Sequence, residues 1–576
     1  MMQRRLLGLL ACVSVFAASC QSSAPSSAPP AATEPGPPAQ ASAPPDVALA
    51  TEQILRIDIR GEPPTLDPTQ AQTPTVLRAL HRGLVDFDQD FNVVPALAES
   101  WTISHDSRTL TFRLRDARYS NGDPIVAGDF VYSWKRLADP RIAAMYSYAI
   151  AEVVGGPDLL AMPGAVLPSD AAIEAALSGL GVEAPDDKTF IVHLNRPATY
   201  FLSAMTLWVF VPLQEKWITS ARATDPANYV SSGPFILDAW DHDSQIVLKP
   251  NPNWWGDVKP TLTEIRMSMY AGPAQAQLAY ETGELDIVVA PDSDIERIRT
   301  DPVLSAEYRE VSQLAILYYS FNNFQDPNAV SYARPGPTAN KDFRMALTQA
   351  IDKQAYIDAT FAGLGEVANS FIMPGIPGHQ PDLDPYPYDL DSARQHMAKA
   401  LAELGVASAA ELGKLKFGFP SGFGREPQVA FLAEAWRQAF GLEIDQISGE
   451  RITFSTERDL GKYDLSFTGW AIDYPHANNQ LSGPFTCGGG NNSAQYCNPD
   501  FDALIARAAA EPDQARQLAI YNEAQTLLMS DAPILPVNFL VTPYEVKPYV
   551  AGLTVMSFDG FDPGHSFFET IRILGH

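Results

Sequence analysis

The chain has 576 residues with 46% hydrophobic and 10% aromatic content, enough for several hydrophobic cores and for two or three domains. Its 40 basic residues stand against 68 acidic ones, a formal charge of −28 at pH 7, which argues against nucleic acid as a partner. Such acidity favours solubility and says little about fold.

The first residues read as an export signal: Arg4 and Arg5, an apolar run over residues 6–18, then small residues before Cys20. That run is too short to span a bilayer permanently. The Ala17-Ala18-Ser19-Cys20 stretch resembles a bacterial lipobox, in which the cysteine is lipidated and becomes the first residue of the mature protein. Ala17 stands where the usual pattern has leucine, so soluble secretion is the alternative. Residues 21–50 carry eight prolines and no aromatic or basic residue, a composition that cannot bury enough surface to order itself and reads as a tether. Lipid and tether together would hold a folded body off a membrane.

Further on, "ILRIDIRGEPPTLDP" opens as an alternating strand and ends in a proline-rich turn. Leu110, Phe112 and Leu114 share one strand face, "SNGDP" makes a turn, and Phe130, Trp134 and Leu137 recur at helical spacing. Phe190, Val192 and Leu194 repeat the strand pattern, and "SSGPFILDAWDHDSQIVLKPNPNWW" reads as two strands around a polar turn. Helical spacing follows over residues 343–357, 391–404, 429–440 and 501–510. Strands and helices are mixed without a fixed period, which is α/β or α+β in class and neither a solenoid nor a propeller.

With Cys12 in the signal and Cys20 taken by lipid, Cys487 and Cys497 remain, bracketing "CGGGNNSAQYC". In an exported protein such a pair reads as a local disulfide. Zinc is the weaker reading, because no histidine lies nearby at ligand spacing.

A large exported body could be a hydrolase, yet the sequence contains no H-E-x-x-H and no G-x-S-x-G, and no two of its nine histidines are three or four residues apart. No cofactor or metal is expected. Gly363, Gly365 and Ala368 fit G-x-G-x-x-A, but they follow a helical pattern where a dinucleotide site needs a preceding strand.

In "TGWAIDYP", Asp473 is the one carboxylate in an apolar and aromatic run. An ionised carboxylate in such surroundings is costly unless a cation or several donors meet it. Either Asp473 is exposed or something positive visits it.

Several stretches, in order, resemble one family, the oligopeptide-binding proteins that serve bacterial peptide ABC importers. They are "EPPTLDP", "VVPALAESW", "YSNGDPIVAGDFVYSWKRLADP", "SSGPF", "NPNWW", "FRMALTQAID", "TGWAIDYP", "NPDFDALI", "DAPILPV" and "VKPYVAGL". The resemblance implies an α/β, two-lobed periplasmic-binding-protein-like (type II) fold with an additional smaller domain inserted in the first lobe. It places the signal at 1–19, the tether at 20–50, lobe I at 51–95, 215–320 and 538–576, the small domain at 96–214 and lobe II at 321–537. Chain crossings between the lobes fall near 320–323 and 535–539, and residues 324–341 look longer than usual.

The resemblance also gives Asp473 a partner, the free α-amino group of a bound peptide. Backbone groups of Gly469, Trp470 and Ala471 on one lobe, and of the stretch from Gln72 through Thr73 to Pro74 on the other, match positions that pair with the peptide main chain, so side-chain identity matters little. Tyr146 matches a pocket tyrosine. Trp470 and Tyr474 fit core or pocket equally. Arg425 and Arg458 match basic positions suited to a peptide carboxylate, although each fits a solvated surface cation as well. Phe467 stands where the best-known pattern has arginine, which bears on ligand length.

The expected function is therefore a tethered receptor, not an enzyme, that captures short peptides in the periplasm or cell envelope and delivers them to an inner-membrane ABC permease and its ATPase, working as a monomer. The alternatives are a receptor for another amine-bearing solute, an unrecognised hydrolase, and a surface lipoprotein for adhesion or sensing.

Overall fold

Two long strands, Tyr308–Phe321 and Ile534–Val546, lie side by side and antiparallel. The second, and the first from Leu314 onward, are nearly continuous apolar runs because both faces are covered. Along the first, Leu314, Ile316 and Tyr318 enter one core, while Leu317, Tyr319 and Phe321 enter another. Its pairing to the second strand shifts register between Ser312 and Ile316 and again between Leu317 and Tyr318. This break lies N-terminal to the crossing expected at 320–323.

The structure is a computed structural model that describes residues 48–576 apart from 72, 163–167, 326–334, 423 and 558–564. The signal, the tether as far as residue 47, Cys20, Gln72 and much of the 324–341 insertion therefore lie outside the described residues, while residues 48–50, expected in the tether, are bonded to the C-terminal segment. Among those described, the paired strands belong to an eleven-stranded mixed sheet. On one side, Leu465–Ala471, Lys414–Pro420 and Glu443–Gly449 extend it from Tyr308–Phe321. On the other, Ile287–Val289, Ile54–Asp58, Glu264–Ser268, Gln245–Pro250 and Phe235–Asp241 extend it from Ile534–Val546.

A separate four-stranded antiparallel sheet runs in the order Ala98–Ile103, Thr109–Leu114, Thr189–His193, Val182–Asp186. Its alternation is the one read from sequence: Leu110, Phe112, Leu114, Phe190, Val192 and Leu194 are all buried. The helix Ala127–Ala138 lays Phe130, Trp134 and Leu137 on it, with the Trp134 ring 5.3 Å from Phe190 and 4.5 Å from Phe210.

The helical stretch expected over 343–357 is two helices, Lys341–Gln349 and Lys353–Thr360. Asp352 restarts the chain by accepting the Ala355 N–H at 3.0 Å, an N-cap that ends one helix and begins the next. The other expected stretches fall in Leu390–Leu404, Glu426–Phe440 and Pro499–Ala510. Gly365 adopts φ 128° beside Asn538 of the long strand, where a Cβ would collide with the amide oxygen.

The two ends of the described body meet. Ala50 N–H donates to Ile573 O at 2.9 Å and Gly575 N–H donates to Ala48 O at 2.7 Å. No helix among the described residues is long and apolar enough to cross a membrane.

Candidate functional site

The strand Leu465–Ala471 delivers the chain to Asp473, and the helix Ala477–Phe485 carries it away. Asn479, in the first turn of that helix, organises the corner between them. Its Oδ1 accepts both the Trp470 indole N–H and the Asp473 backbone N–H at 3.2 Å, and its Nδ2 donates to Asp473 Oδ2 at 3.3 Å.

From across the cavity, the 3₁₀ turn Met145–Ile150 brings two tyrosines to the same carboxylate. Tyr148 OH donates to Asp473 Oδ2 at 2.8 Å, and the Tyr146 hydroxyl lies near enough to lower the Asp473 pKa. The Tyr146 ring packs 4.8 Å from Trp208, whose indole N–H donates to Ala71 O at 3.0 Å.

Among the described residues no cationic side chain pairs with Asp473. Burial raises its pKa above the usual carboxylate value, against the lowering effect of Tyr148, Asn479 and Tyr146. Burial, then the Asp473 charge, raises the Tyr148 and Tyr146 pKa values in turn. The second acid of the cavity is neutralised. Glu152 accepts two bonds from Arg196, at 2.5 and 2.7 Å, and one from Tyr200 OH at 2.5 Å. The cavity is therefore a space of about 550 Å³ with aromatic walls and one uncompensated carboxylate.

Asp473, Trp470, Ala471, Tyr474 and Tyr146 all line this cavity. Trp470 and Tyr474 also pack against the cores, so each is pocket and core at once. Leu465 and Ser466 pair with Phe417 and Gly418, but beyond Ser466 no described strand continues on that edge. Gly469 and Ala471 are exposed there, leaving backbone groups open to an extended ligand.

The remaining expected residues lie elsewhere. Thr73 is the N-cap of the helix Pro74–Leu80 and is not among the cavity lining. Arg458 pairs with its neighbour Asp459 at 2.8 Å and stacks over Phe454. Arg425 stands at the N-cap of Glu426–Phe440, its guanidinium 4.9 Å above the Phe467 ring. Phe467 thus serves as a platform for an arginine where the best-known pattern has an arginine. Neither Arg425 nor Arg458 lines the Asp473 cavity. Cys487 and Cys497 are joined by a disulfide.

Sequence reasoning missed Tyr148, Asn479 and the Glu152–Arg196 pair. Asn479 carried a faint local signal, a polar side chain in the first turn after the acid. The others come from a segment more than 270 positions away.

A half-buried carboxylate in a cavity beside an open strand edge, in a body of two sheet halves joined by paired strands, fits a solute-binding protein. The chain belongs to the family described as "Bacterial extracellular solute-binding proteins, family 5 Middle", whose model matches residues 92–492. It is 26% identical to the oligopeptide-binding protein OppA of Bacillus subtilis over 84% of this chain and 87% of that one. It is 28% identical to the periplasmic murein peptide-binding protein MppA of Escherichia coli over 89% and 93%. The solved structure of Haemophilus influenzae OppA in complex with RPPGFSPFR superposes with a TM-score of 0.70 at 26% identity, covering 92% of this chain and 100% of that one. The fold is accordingly the two-lobed α/β binding-protein fold with an inserted smaller domain.

Proposed function

We propose that this chain is a cell-envelope receptor that captures short peptides and hands them to a membrane ABC permease, with Asp473 holding the ligand's free α-ammonium. The single observation carrying the anchor role is a half-buried carboxylate with hydroxyl and amide donors but no cation among the described residues. An ammonium satisfies it at once by charge and by hydrogen bonds. The open edge beyond Ser466 supports main-chain pairing with an extended peptide, which tolerates many sequences. Peptide binding by the similar OppA and MppA proteins supports the ligand class.

In this reading the chain performs no chemistry, and energy coupling lies with the permease's ATPase. Lipidation of Cys20 would anchor it to a membrane through the tether that ends before residue 48, and it acts as a monomer. Calorimetry on unfolded and refolded, ligand-free protein lacking Cys20 tests the reading, using a pool of free tri- to pentapeptides and its N-acetylated twin. Free peptides should bind, with the acetylated pool weaker by roughly 3 kcal/mol or more. Equal binding of both pools would remove the anchor role. Binding of neither would redirect the assignment to another solute.

A further inference from the structure

The cavity has a wall that belongs to a covalent ring. Between Cys487 and Cys497 the chain runs through three consecutive glycines, and two ring residues, Gly490 and Asn491, line the cavity that holds Asp473. The ring has two unlike arms. The arm 492–496 is fixed to the body: Ser493 Oγ lies 2.7 Å from Ser320 Oγ, Asn323 N–H donates to Ala494 O at 2.8 Å, and Tyr496 OH donates to Asp531 Oδ2 at 2.8 Å.

The arm 487–491 is held through its backbone, Gly489 N–H donating to Thr486 O at 2.9 Å and Gly489 O accepting from Asn492 N–H at 3.1 Å. Cys487 N–H reaches Asp502 Oδ1 at 3.2 Å, while Gly488, Gly489 and Gly490 have no side chains to pack. Gly489 passes so close to the preceding helix that a Cβ there would lie 2.5 Å from Gly483 O. At Gly483 itself a Cβ would meet Asn491 Nδ2 at 3.8 Å and the Trp470 ring at 3.9 Å. The loop thus lies against the helix, with the Asn491 amide and the Trp470 ring each close to Gly483 and both residues lining the cavity. Glycine makes the close approach possible, and the crosslink adds a covalent restraint to a loop held by backbone bonds.

Resting on the reading that Asp473 holds a peptide ammonium, we propose that the disulfide-closed ring 487–497 determines specificity for the ligand's first side chain. A side chain on the first α-carbon begins two bonds from the ammonium nitrogen and must enter the cavity around Asp473. Its room is bounded on one side by the tyrosine turn Met145–Ile150 and on the other by Gly490 and Asn491. The ring sets the volume there, and the Asn491 amide supplies the polar group that a large or hydrogen-bonding side chain meets.

The test is a calorimetric panel of tripeptides Xaa-Ala-Ala, with Xaa as Ala, Leu, Phe, Trp or Gln, each also N-acetylated. Wild type is compared with Asn491→Ala and with the double variant Cys487→Ser, Cys497→Ser; thermal melting records whether each is folded. If the double variant does not fold, wild type treated with a phosphine reductant replaces it. The expected result is that the ratio of affinities between the largest and smallest Xaa changes by about tenfold or more, while free peptides still outbind acetylated ones. Ratios unchanged in Asn491→Ala and in the crosslink-free protein would overturn the ring's role and leave the ammonium anchor standing. If wild type itself binds free and acetylated peptides alike, the anchor reading fails and this proposal falls with it.

Discussion

Tyr148 and Asp473 are 325 positions apart in sequence, yet the phenol donates to the carboxylate at 2.8 Å. This bond fixes where charge is held in the cavity, because it opposes the rise in pKa that burial imposes on Asp473. Tyr148 is 45% exposed, so its contribution is moderated by solvent. Replacing it in Tyr148→Phe should raise the Asp473 pKa further and weaken free-peptide binding by about 1 kcal/mol, with the larger loss at acid pH. Titration calorimetry at pH 6 and pH 8 reads both effects.

Asp473→Asn keeps the shape of the acid and removes its charge. Free peptides should lose about 2–5 kcal/mol of binding, while N-acetylated peptides, which never paired with the charge, should change little. The discrimination between the two pools should collapse. Retained discrimination in the folded variant would place the anchor on another residue.

Peptide affinity should depend on pH through the same carboxylate. In the ligand-free protein its pKa lies above the ordinary value, and an ammonium beside it pulls that pKa down. Affinity should therefore fall as pH drops through the raised pKa, starting at a higher pH than for an ordinary aspartate. At that acidic limb binding must release protons. The observed heat should then vary with the ionisation heat of the buffer, whereas buffer-independent heat there would contradict the assignment.

A second acid is placed to set stability. Glu545, on the strand Ile534–Val546, is fully buried; Gln277 Nε2 donates to its Oε2 at 2.6 Å, while its Oε1 and the Gln277 Oε1 lack partners among the described atoms. Burial, with Glu281 and Glu307 nearby, pushes the carboxyl up to about 7 against the lowering effect of Gln277. The folded state therefore binds a proton that the unfolded state, with a pKa of about 4.3, has already lost. Stability from this group is present at low pH and declines as pH rises from about 4.3 to about 7. Glu545→Gln should melt above wild type at pH 8, and the gap should close towards pH 4. A pH-independent gap would mean the carboxyl does not titrate in this window.

Gly365→Ala should destabilise the fold by about 1–3 kcal/mol, read as a lower urea midpoint, because φ 128° and contact with Asn538 both exclude a Cβ. Gly363→Ala should cost less. Its φ is 73°, and the nearest atom to an added methyl, Asp358 Oδ1, is 3.7 Å away. These glycines match a nucleotide-binding spacing for reasons of local backbone alone.

What was legible in the sequence is what local periodicity encodes. Phe112 and Phe190 alternate on strands, and Trp134 recurs with Phe130 and Leu137 on a helix, so each face could be read without knowing its neighbour. Asp473 was legible because a lone carboxylate among aromatic residues needs an explanation. Tyr148 was not, since strand and turn patterns do not say which segments meet across a cavity. Arg425 could be read from sequence as a ligand-facing or a solvated cation alike, and the Phe467 ring beneath it is a tertiary partner that the local pattern does not announce. Asp352 split an apolar pattern that looked continuous, because a cap acts on backbone donors rather than on the hydrophobic period.

The meeting of residues 48–50 with 573–575 has a practical side. Both ends lie beside the strand Ile54–Asp58, to which Gln53 ties them by a bond from its Nε2 to Ile573 O at 2.7 Å. A dye, a bead or a chip surface attached at either end therefore grips the molecule at the same place, beside Ile54–Asp58 and on the other side of the paired long strands from Leu465–Ala471. Joining the old ends by a short linker and opening a surface loop elsewhere would give a circular permutant in which a reporter can be moved to the opposite lobe.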